Sequence, residues 1–235
     1  MMISSITPGL IYILGGLISL ALKGNIQKIF ILFIPIIALF QLLNLNVSDP
    51  INIEFLMTNL TLFRLDNLSY SFTLVMILSS LAAFIYGVTI VKHTEYASAC
   101  LYIGSAISVI LAGDLITLYI FWELMAVSSA FLVILRAEDR SFKSALRYLL
   151  VHLVGGLILL SGIIIHIHST GSTEFVLFNS QNLATWLMLI GILVNAAAVP
   201  LSSWLSDAYP ESTLMGGVIL SAVTTKTAIY TLLRA

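Results

Sequence analysis

Cysteine and charged residues are both scarce in this chain of 235 residues. The single cysteine, Cys100, excludes an internal disulfide framework and any multi-cysteine metal or iron–sulfur site. Charged residues make up 9% of the sequence and the ten lysines and arginines are scattered, so we predict no nucleic-acid binding. A Gly-rich nucleotide loop and a flavin motif are also lacking. We therefore expect no cofactor, no metal site and no catalytic chemistry in this chain.

Apolar residues are in excess: they make up 60% of the sequence and give a mean hydropathy of +1.08. A soluble domain of this length cannot bury so much apolar surface, so we predict that the excess faces lipid. Runs of about 17–25 apolar residues cross a bilayer as helices. We predict eight spans, at residues 8–22, 26–44, 68–91, 96–113, 115–135, 145–168, 183–200 and 212–234. The first segment lacks the basic region and cleavage site of a signal peptide, so we expect it to stay as an anchor.

The segment between the second and third spans, residues 45–67, is the longest polar connection. It contains charged residues and a proline, and we place it outside the membrane. Its stretch INIEFLMTNLTLFRL predicts a short extended or hairpin element.

The distribution of basic residues predicts the orientation of the chain. The loops after the first, third and fifth spans hold seven of them: Lys23, Lys28, Lys92, Arg136, Arg140, Lys143 and Arg147. The opposite side holds only Arg64 and Arg234. Lysines and arginines favour the cytoplasmic side of a membrane. We therefore predict that both termini lie outside, in a bacterial inner membrane.

Three acidic or basic side chains lie well inside predicted spans, away from the span ends, and each is costly to remove from water. Glu123 lies near the middle of the fifth span, His152 in the sixth and Lys226 in the eighth. Such residues are typical of proton or ion pathways. Pro200 ends the seventh span and cannot continue a helix, so we predict a helix break near residues 195–200. Irregular backbone at membrane depth is tolerated inside protein or beside a watery cavity.

Structural explanations also exist for these three residues. Glu123 can be a protonated group at a helix contact, and Lys226 can extend outward along its helix towards the membrane surface. His152 can be a hydrogen-bonded interior residue.

Four stretches of the sequence carry a resemblance to a known family: DLITLYIFWELM, KSALRYLL, PLSSWLSDAYPE and TKTAIYTLLR. From about Arg64 to Ala235 the chain resembles the antiporter-like subunits of respiratory complex I and of Mrp-type cation/proton antiporters. The complex I proteins in question are those of the L, M and N types. Within the family, the stretches are most similar to the D-type Mrp protein and the M-type complex I protein.

The resemblance implies an all-α polytopic fold with a particular division. Members of the family have fourteen helices, with two five-helix units related by an inverted repeat and a discontinuous seventh helix. We therefore expect residues 1–95 to form three N-terminal helices with the loop 45–67, and residues 96–235 to form one five-helix unit. The second unit is absent from the sequence, which corresponds to the first eight helices.

The family's functional positions are only partly retained. The fifth-helix glutamate corresponds to Glu123 and the eighth-helix lysine to Lys226, but Asn195 stands where a seventh-helix lysine is usual. Ser206 replaces a usual proline. The resemblance implies an electrostatic switch in which the glutamate–lysine pair separates and releases a proton; Asn195 cannot titrate. Asp207 is expected near the cytoplasmic entrance, although an N-cap role for the eighth helix explains it as well.

Two functions follow from these observations. In the first, the chain conducts protons, in exchange for a cation such as Na⁺, through Glu123, Lys226, Asn195 and His152. It would do so as a subunit, or the front half of a split subunit, of an Mrp-like or complex I-like assembly. Its partners would be other membrane subunits and a separate polypeptide that supplies the second half. In the alternative, the chain is a transport-inactive structural or assembly component, or a degraded gene product.

Overall fold

The computed structural model describes residues 6–45, 50–55, 58–177 and 182–235. Helices dominate it, together with one short hairpin. The helices are α1 (Pro8–Ser19), α2 (Gly24–Asn44), α3 (Asn67–Gly87), α4 (His93–Leu111), α5 (Leu115–Ile134), α6 (Asp139–Thr170), α7 (Leu183–Asn195), α8 (Ser203–Ala208) and α9 (Leu214–Arg234). The strands are β1 (Ile51–Phe55) and β2 (Thr58–Phe63).

The predicted all-α polytopic fold is confirmed. Six helices, α2 to α6 and α9, are long and apolar enough to cross a membrane, and α1 and α7 are shorter apolar helices. The predicted spans one to seven correspond to α1 to α7, and the eighth corresponds to α9. Large side chains on the outer faces are exposed, as a lipid-facing surface requires; in α2 they are Ile26, Ile29, Phe33, Ile36, Ile37, Phe40 and Leu43.

The bundle is built around α4, which packs against α1, α3, α5 and α9. Most of α4 is buried, including its polar residues Ser105 and Ser108. Small residues let neighbouring membrane helices approach closely, and α4 is rich in them: Ala97, Ala99, Gly104, Ser105, Ala106 and Ser108. Both serines donate to backbone carbonyls one turn earlier, so neither hydroxyl is left unpaired at these helix contacts.

The predicted hairpin is confirmed, and it secures the turn between α4 and α5. Strands β1 and β2 pair antiparallel. The Gly113 N–H donates to the Thr61 carbonyl at 3.0 Å, and the Gly113 carbonyl accepts from Phe175 N–H at 3.1 Å. Leu115 N–H donates to the Thr173 carbonyl at 2.8 Å. The turn is therefore held on one side by the hairpin and on the other by the segment after α6.

Several helix boundaries differ from the predicted ones. Helix α6 begins at Asp139, before the predicted start at residue 145. Its polar first turns stay helical because Asp139 lies at the positive end of the helix dipole and Arg140 and Arg147 are anchored to acidic partners. Helices α1 and α3 end at Ser19 and Gly87, before the predicted ends at residues 22 and 91.

Candidate functional site

The seventh predicted span breaks where Pro200 indicated. Helix α7 ends at Asn195, and α8 begins only at Ser203. Between them Ala197 has a φ of 55° and the peptide bond before Pro200 is cis. Proline has no N–H to donate to a helix, so the chain cannot continue α7 through this point. The break places the last residue of α7, Asn195, at a helix end inside the bundle.

Asn195 is fully buried, with an exposed fraction of 0%. Within the described part of the chain, neither its amide nitrogen nor its amide oxygen has a hydrogen-bond partner. A primary amide has two donors and an acceptor with two lone pairs, and leaving these unpaired in a protein interior costs about 1–3 kcal/mol. The side chain therefore presents an unused donor and acceptor to the interior of the bundle.

Glu123 lies on α5 and faces Gly156 of α6. The carboxylate accepts a hydrogen bond from Tyr119, one turn earlier on α5. Its Oε1 atom is buried and has no partner among the described residues. A Cβ atom at position 156 would clash with this oxygen. A side chain at position 156 would therefore displace the Glu123 carboxylate from its present position.

His152 lies on α6, one turn before Gly156. Its Nδ1 is 2.9 Å from the Tyr148 carbonyl. Because a carbonyl only accepts, Nδ1 carries the hydrogen, and Nε2 of the neutral ring is left with a lone pair. Nε2 is buried and has no partner among the described residues. His152 therefore presents a proton acceptor, Nε2, to the interior of the bundle. Asn195 likewise presents a hydrogen-bond acceptor, its amide oxygen.

Trp204 of α8 joins the His152 region to the end of α7. Its ring centroid lies 4.5 Å from that of His152, and its Nε1 donates to the Val194 carbonyl at 2.9 Å. On α6, a Cβ at Gly155 would meet Val194 Cγ1 at 2.9 Å, so α6 and α7 are in close contact there. Gly156 faces Glu123 and the adjacent Gly155 faces the neighbour of Asn195, so α5 and the end of α7 both approach the same turn of α6.

Glu123, His152 and Asn195 thus lie at or beside neighbouring turns of α6, and we call these three residues the polar layer. Each contributes at least one buried atom without a partner among the described residues. The carboxylate and the imidazole can each exchange a proton, and the amide can donate and accept hydrogen bonds without titrating. The layer can therefore hold and pass protons, and its free atoms are suited to water molecules.

Lys226 is placed elsewhere. It is exposed on α9, and its Nζ donates to the Ser221 carbonyl on the same helix. No ion pair joins it to Glu123 in the described ranges. A lysine in the middle of an apolar helix is costly in lipid, so this face of α9 is suited to a protein neighbour.

Asp207 is fixed by α6. The Arg147 guanidinium donates to both carboxylate oxygens, each at 2.7 Å, and Ser144 donates to the Asp207 carbonyl at 2.9 Å. The hydrogen bonds from Arg147 hold the pKa of Asp207 below its ordinary value. The N-cap alternative for Asp207 is wrong, because Thr213 caps α9 by accepting from Gly216 N–H. Asp207 instead lies within α8, where Arg147 orients it.

Replacing Asp207 with asparagine is expected to lower stability modestly at neutral pH. Its pKa is depressed in the folded state, so the ion pair stabilises the fold above the unfolded-state pKa of about 3.9 and is lost as pH falls through the lower folded value. The pair is partly exposed, so we expect a loss of about 1 kcal/mol or less. Thermal unfolding in detergent at several pH values measures it.

The loss should shrink as the pH approaches about 4 and below. Glu138→Gln is the matched control, because the Arg136–Glu138 pair has a single contact at 3.0 Å and a more exposed carboxylate. A loss for Asp207→Asn that is independent of pH would show that charge is not what matters there.

Two residues of this site were not singled out from the sequence. Tyr148 and Trp204 form an aromatic wall around His152, with centroid distances of 4.0 and 4.5 Å. Both fall inside the motifs KSALRYLL and PLSSWLSDAYPE. The motifs thus contain both residues. An aromatic side chain is common in an apolar helix, however, and unlike a charged side chain it does not by itself indicate a functional site.

A helical membrane bundle with a half-buried carboxylate, a buried imidazole and a buried amide beside a broken helix is typical of ion-translocating membrane proteins. Residues 112–235 match the model of the transmembrane family described as NADH:quinone oxidoreductase/Mrp antiporter. The chain belongs to this family and is a multi-pass, antiporter-like membrane subunit.

Relatives in Staphylococcus aureus agree with this assignment. In strain JH9, the protein named as antiporter subunit mnhA2 is 30% identical over 223 residues, which is 87% of this chain and 27% of the relative. The mnhA2 protein of strain USA300 matches equally. The chain thus spans 27% of the length of these relatives. The more specific resemblance to the D-type Mrp protein is not supported by these relatives.

Solved structures share the fold. The archaeal membrane-bound sulfane sulfur reductase aligns with a TM-score of 0.85 at 24% identity, over 98% of this chain and 40% of the other. The Mrp complex from Dietzia sp. DQ12-45-1b gives 0.85 at 22%, over 99% and 27%. Complex I from Thermus thermophilus gives 0.81 at 20%, over 99% and 53%.

Proposed function

We propose that the chain conducts protons within a cation/proton antiporter or complex I-like membrane assembly, through the polar layer of Glu123, His152 and Asn195. The observation that carries this proposal is the set of buried atoms in the layer that have no hydrogen-bond partner within the described part of the chain. Unsatisfied polar atoms on three residues of one bundle lower the folding free energy that the protein gains. Such groups are kept in membrane proteins where they bind or transfer protons or ions.

In this proposal the three residues have different roles. Glu123 and His152 exchange protons, since each has one form with and one form without a hydrogen at the free atom. Asn195 holds a bridging water between them by donating and accepting at once. The lysine that the family usually has at this position would carry a charge of its own. Asparagine leaves a neutral relay in which Glu123 has no cationic partner on α7.

The outward position of Lys226 supports a partner on that face of α9. Its exposed neighbours towards the same face are Val218, Ile229 and Leu233. A lysine there is stabilised by an acceptor or acidic side chain from another membrane polypeptide. We propose that such a polypeptide covers this face and that Lys226 carries the path onward into it. Na⁺ is the candidate cation for the exchange.

The proposal includes an orientation. Arg136, Arg140 and Arg147 gather at one end of the bundle, where they bond to Glu138, Glu211, Asp207 and the Pro210 carbonyl. Arg64 and Arg234 lie together at the other end, where Arg234 pairs with Asp66. The richer basic end favours the cytoplasm. We propose an inner-membrane location with both termini outside, and with Asp207 near the cytoplasmic entrance.

Asn195→Ala tests the role of the amide. We expect the rate of cation-dependent proton exchange to fall about tenfold, because losing one productive hydrogen bond costs about 1.4 kcal/mol. The measurement is respiration-driven acidification of everted vesicles that carry the complete assembly, and its reversal by added Na⁺. Asn44→Ala, an exposed asparagine on α2, is the control and should have no effect. An unchanged rate for Asn195→Ala would remove the amide from the path.

A second function is a structural or assembly component without transport. Two observations favour it: Asn195 cannot titrate, and Lys226 forms no ion pair with Glu123 within the described ranges. The two functions are separated by comparing deletion of the chain with Glu123→Gln. If deletion prevents assembly while Glu123→Gln leaves exchange intact, the chain is structural. Asn195→Lys complements this comparison, since a harmful effect would show that the site has adapted to asparagine.

A further inference from the structure

A group of buried hydroxyls lies beside the polar layer, and none of them has a role in the proposed function so far. Its members come from α4, α5, α6, α9 and the connection between α8 and α9. We name it the hydroxyl cluster; its residues are Tyr102, Ser129, Tyr148, Tyr209 and Thr224. All are buried except Tyr209, which is partly exposed. Buried tyrosine hydroxyls usually have a hydrogen-bond partner. Here most of the partners are other members of the hydroxyl cluster.

The contacts of the cluster converge on Thr224. Its hydroxyl bonds to the Tyr102 hydroxyl, and the hydroxyls of Tyr148 and Tyr209 interact with it as well. Tyr148 also bonds to the Ser129 hydroxyl at 2.8 Å. The hydroxyl group of each residue is both a donor and an acceptor. The cluster is therefore a branched chain of groups in which a hydrogen can be received on one side and given on the other.

The cluster has one end near the surface and one end at the polar layer. Tyr209 follows α8, two residues after the ion-paired Asp207, and its hydroxyl also donates to the Leu220 carbonyl at 2.9 Å. At the other end Tyr148 stacks on His152 with the ring centroids 4.0 Å apart. The stacked His152 ring carries the buried Nε2 atom, which has no hydrogen-bond partner among the residues that the structure describes.

We propose that the hydroxyl cluster is a proton relay from Tyr209 through Thr224 and Tyr148 to His152. Tyr209, which is partly exposed, accepts a proton from water, and its own hydrogen turns from the Leu220 carbonyl to the Thr224 hydroxyl. In each later step an oxygen accepts a proton from one neighbour and its own proton passes to the next, so one O–H bond forms as another breaks. A single bridging water completes the step from Tyr148 to Nε2. Rotation of the hydroxyls then restores the starting arrangement. The relay rests on the proposed function and supplies a route to the layer that needs no lysine on α7.

A matched control exists elsewhere in the chain. Tyr12 of α1 is also fully buried, and its hydroxyl bonds to Ser80 of α3. Tyr12→Phe therefore removes the same chemical group from the same kind of environment, away from the cluster. Any loss that it shares with Tyr148→Phe reflects stability alone.

The test compares Tyr148→Phe, Thr224→Val and Tyr12→Phe in everted vesicles carrying the complete assembly, with the amount of assembled complex measured by immunoblotting. We expect the first two to slow proton exchange at least about tenfold and to enlarge the effect of replacing H₂O by D₂O, while Tyr12→Phe changes neither. Ser129→Ala is the smaller substitution if Tyr148→Phe does not assemble; it removes the partner at 2.8 Å and should slow exchange as well.

Equal losses for all three variants, with no change in the isotope effect, would overturn the relay and leave the hydroxyls as structural groups. Normal exchange for Tyr148→Phe and Thr224→Val would also overturn it. If the relay variants give one of these results while Glu123→Gln abolishes exchange in the same vesicles, the relay is wrong and the proposed function stands. If Glu123→Gln has no effect either, the proposed function fails together with the relay.

Discussion

Replacing Glu123 with glutamine is expected to reduce cation-dependent proton exchange at least about a hundredfold, the usual scale for removing a proton-transferring group. Glutamine has nearly the same shape as glutamate, so the contact with Gly156 and the hydrogen bond from Tyr119 can persist. What is lost is the ability of the buried oxygen to take up and release a proton. Exchange is measured in everted vesicles as the reversal of acidification by Na⁺, normalised to assembled complex.

Glu95→Gln is the matched control for this variant. Glu95 is also a buried carboxylate, with an exposed fraction of 3%, but it accepts from the Thr213 hydroxyl at the start of α9 and has no part in the polar layer. A glutamine oxygen can accept the same hydrogen bond, so we expect exchange to be nearly unchanged. Undiminished exchange in Glu123→Gln, with normal assembly, would contradict a role for Glu123 in the path.

Gly156→Ala is expected to lower exchange by about tenfold or more, through a residue that does not itself titrate. Its Cβ would occupy the position of Glu123 Oε1, so the carboxylate must move away from α6 or the two helices must separate. A displacement of about 1 Å can cost about a hundredfold in rate. The measurement is the same exchange assay, combined with thermal unfolding in detergent to separate displacement from loss of the fold.

Two comparisons make the result specific. Gly217→Ala is the control, since its Cβ would approach only Ser212 Oγ at 3.0 Å and the Tyr209 carbonyl at 3.7 Å. The double variant Gly156→Ala with Glu123→Gln should be no slower than Glu123→Gln alone, because both changes act on one group. Additive losses would mean that Gly156 affects transport by another route.

The fold was predictable from the sequence where a single physical constraint decides it. Apolar runs of bilayer length placed the long helices, and Pro200 marked the end of α7 because proline removes a helical hydrogen bond and clashes with the carbonyl four residues back. Proline alone does not decide this, since α2 continues through Pro35. The start of α6 was not predictable in the same way. Its first turns are polar, and their helical state depends on ion pairs with residues far later in the chain, such as Arg147 with Asp207.

The site was only partly predictable. Glu123 could be identified from the sequence because a carboxylate in an apolar span is costly to remove from water and is typical of a functional site. The side of each helix on which a residue lies depends on packing, and the sequence alone does not determine it. For this reason the outward face of Lys226 and the contact between Gly156 and Glu123 appear only in the structure. The neighbours that Gly155 and Gly156 approach, Val194 and Glu123, are likewise evident only from the structure.

The turn between α4 and α5 has a mechanical consequence for the whole bundle. Backbone hydrogen bonds from the hairpin and from the segment after α6 fix residues 113–115 on both sides. The interrupted stretch after α7 contains turns, and the α8 segment beyond it is held mainly by side chains, among them Arg147 and Trp204. Free energies of local opening follow such differences in hydrogen bonding and burial. We therefore expect local opening to cost less free energy in the α8 segment, at one end of the bundle, than at residues 113–115 at the other end.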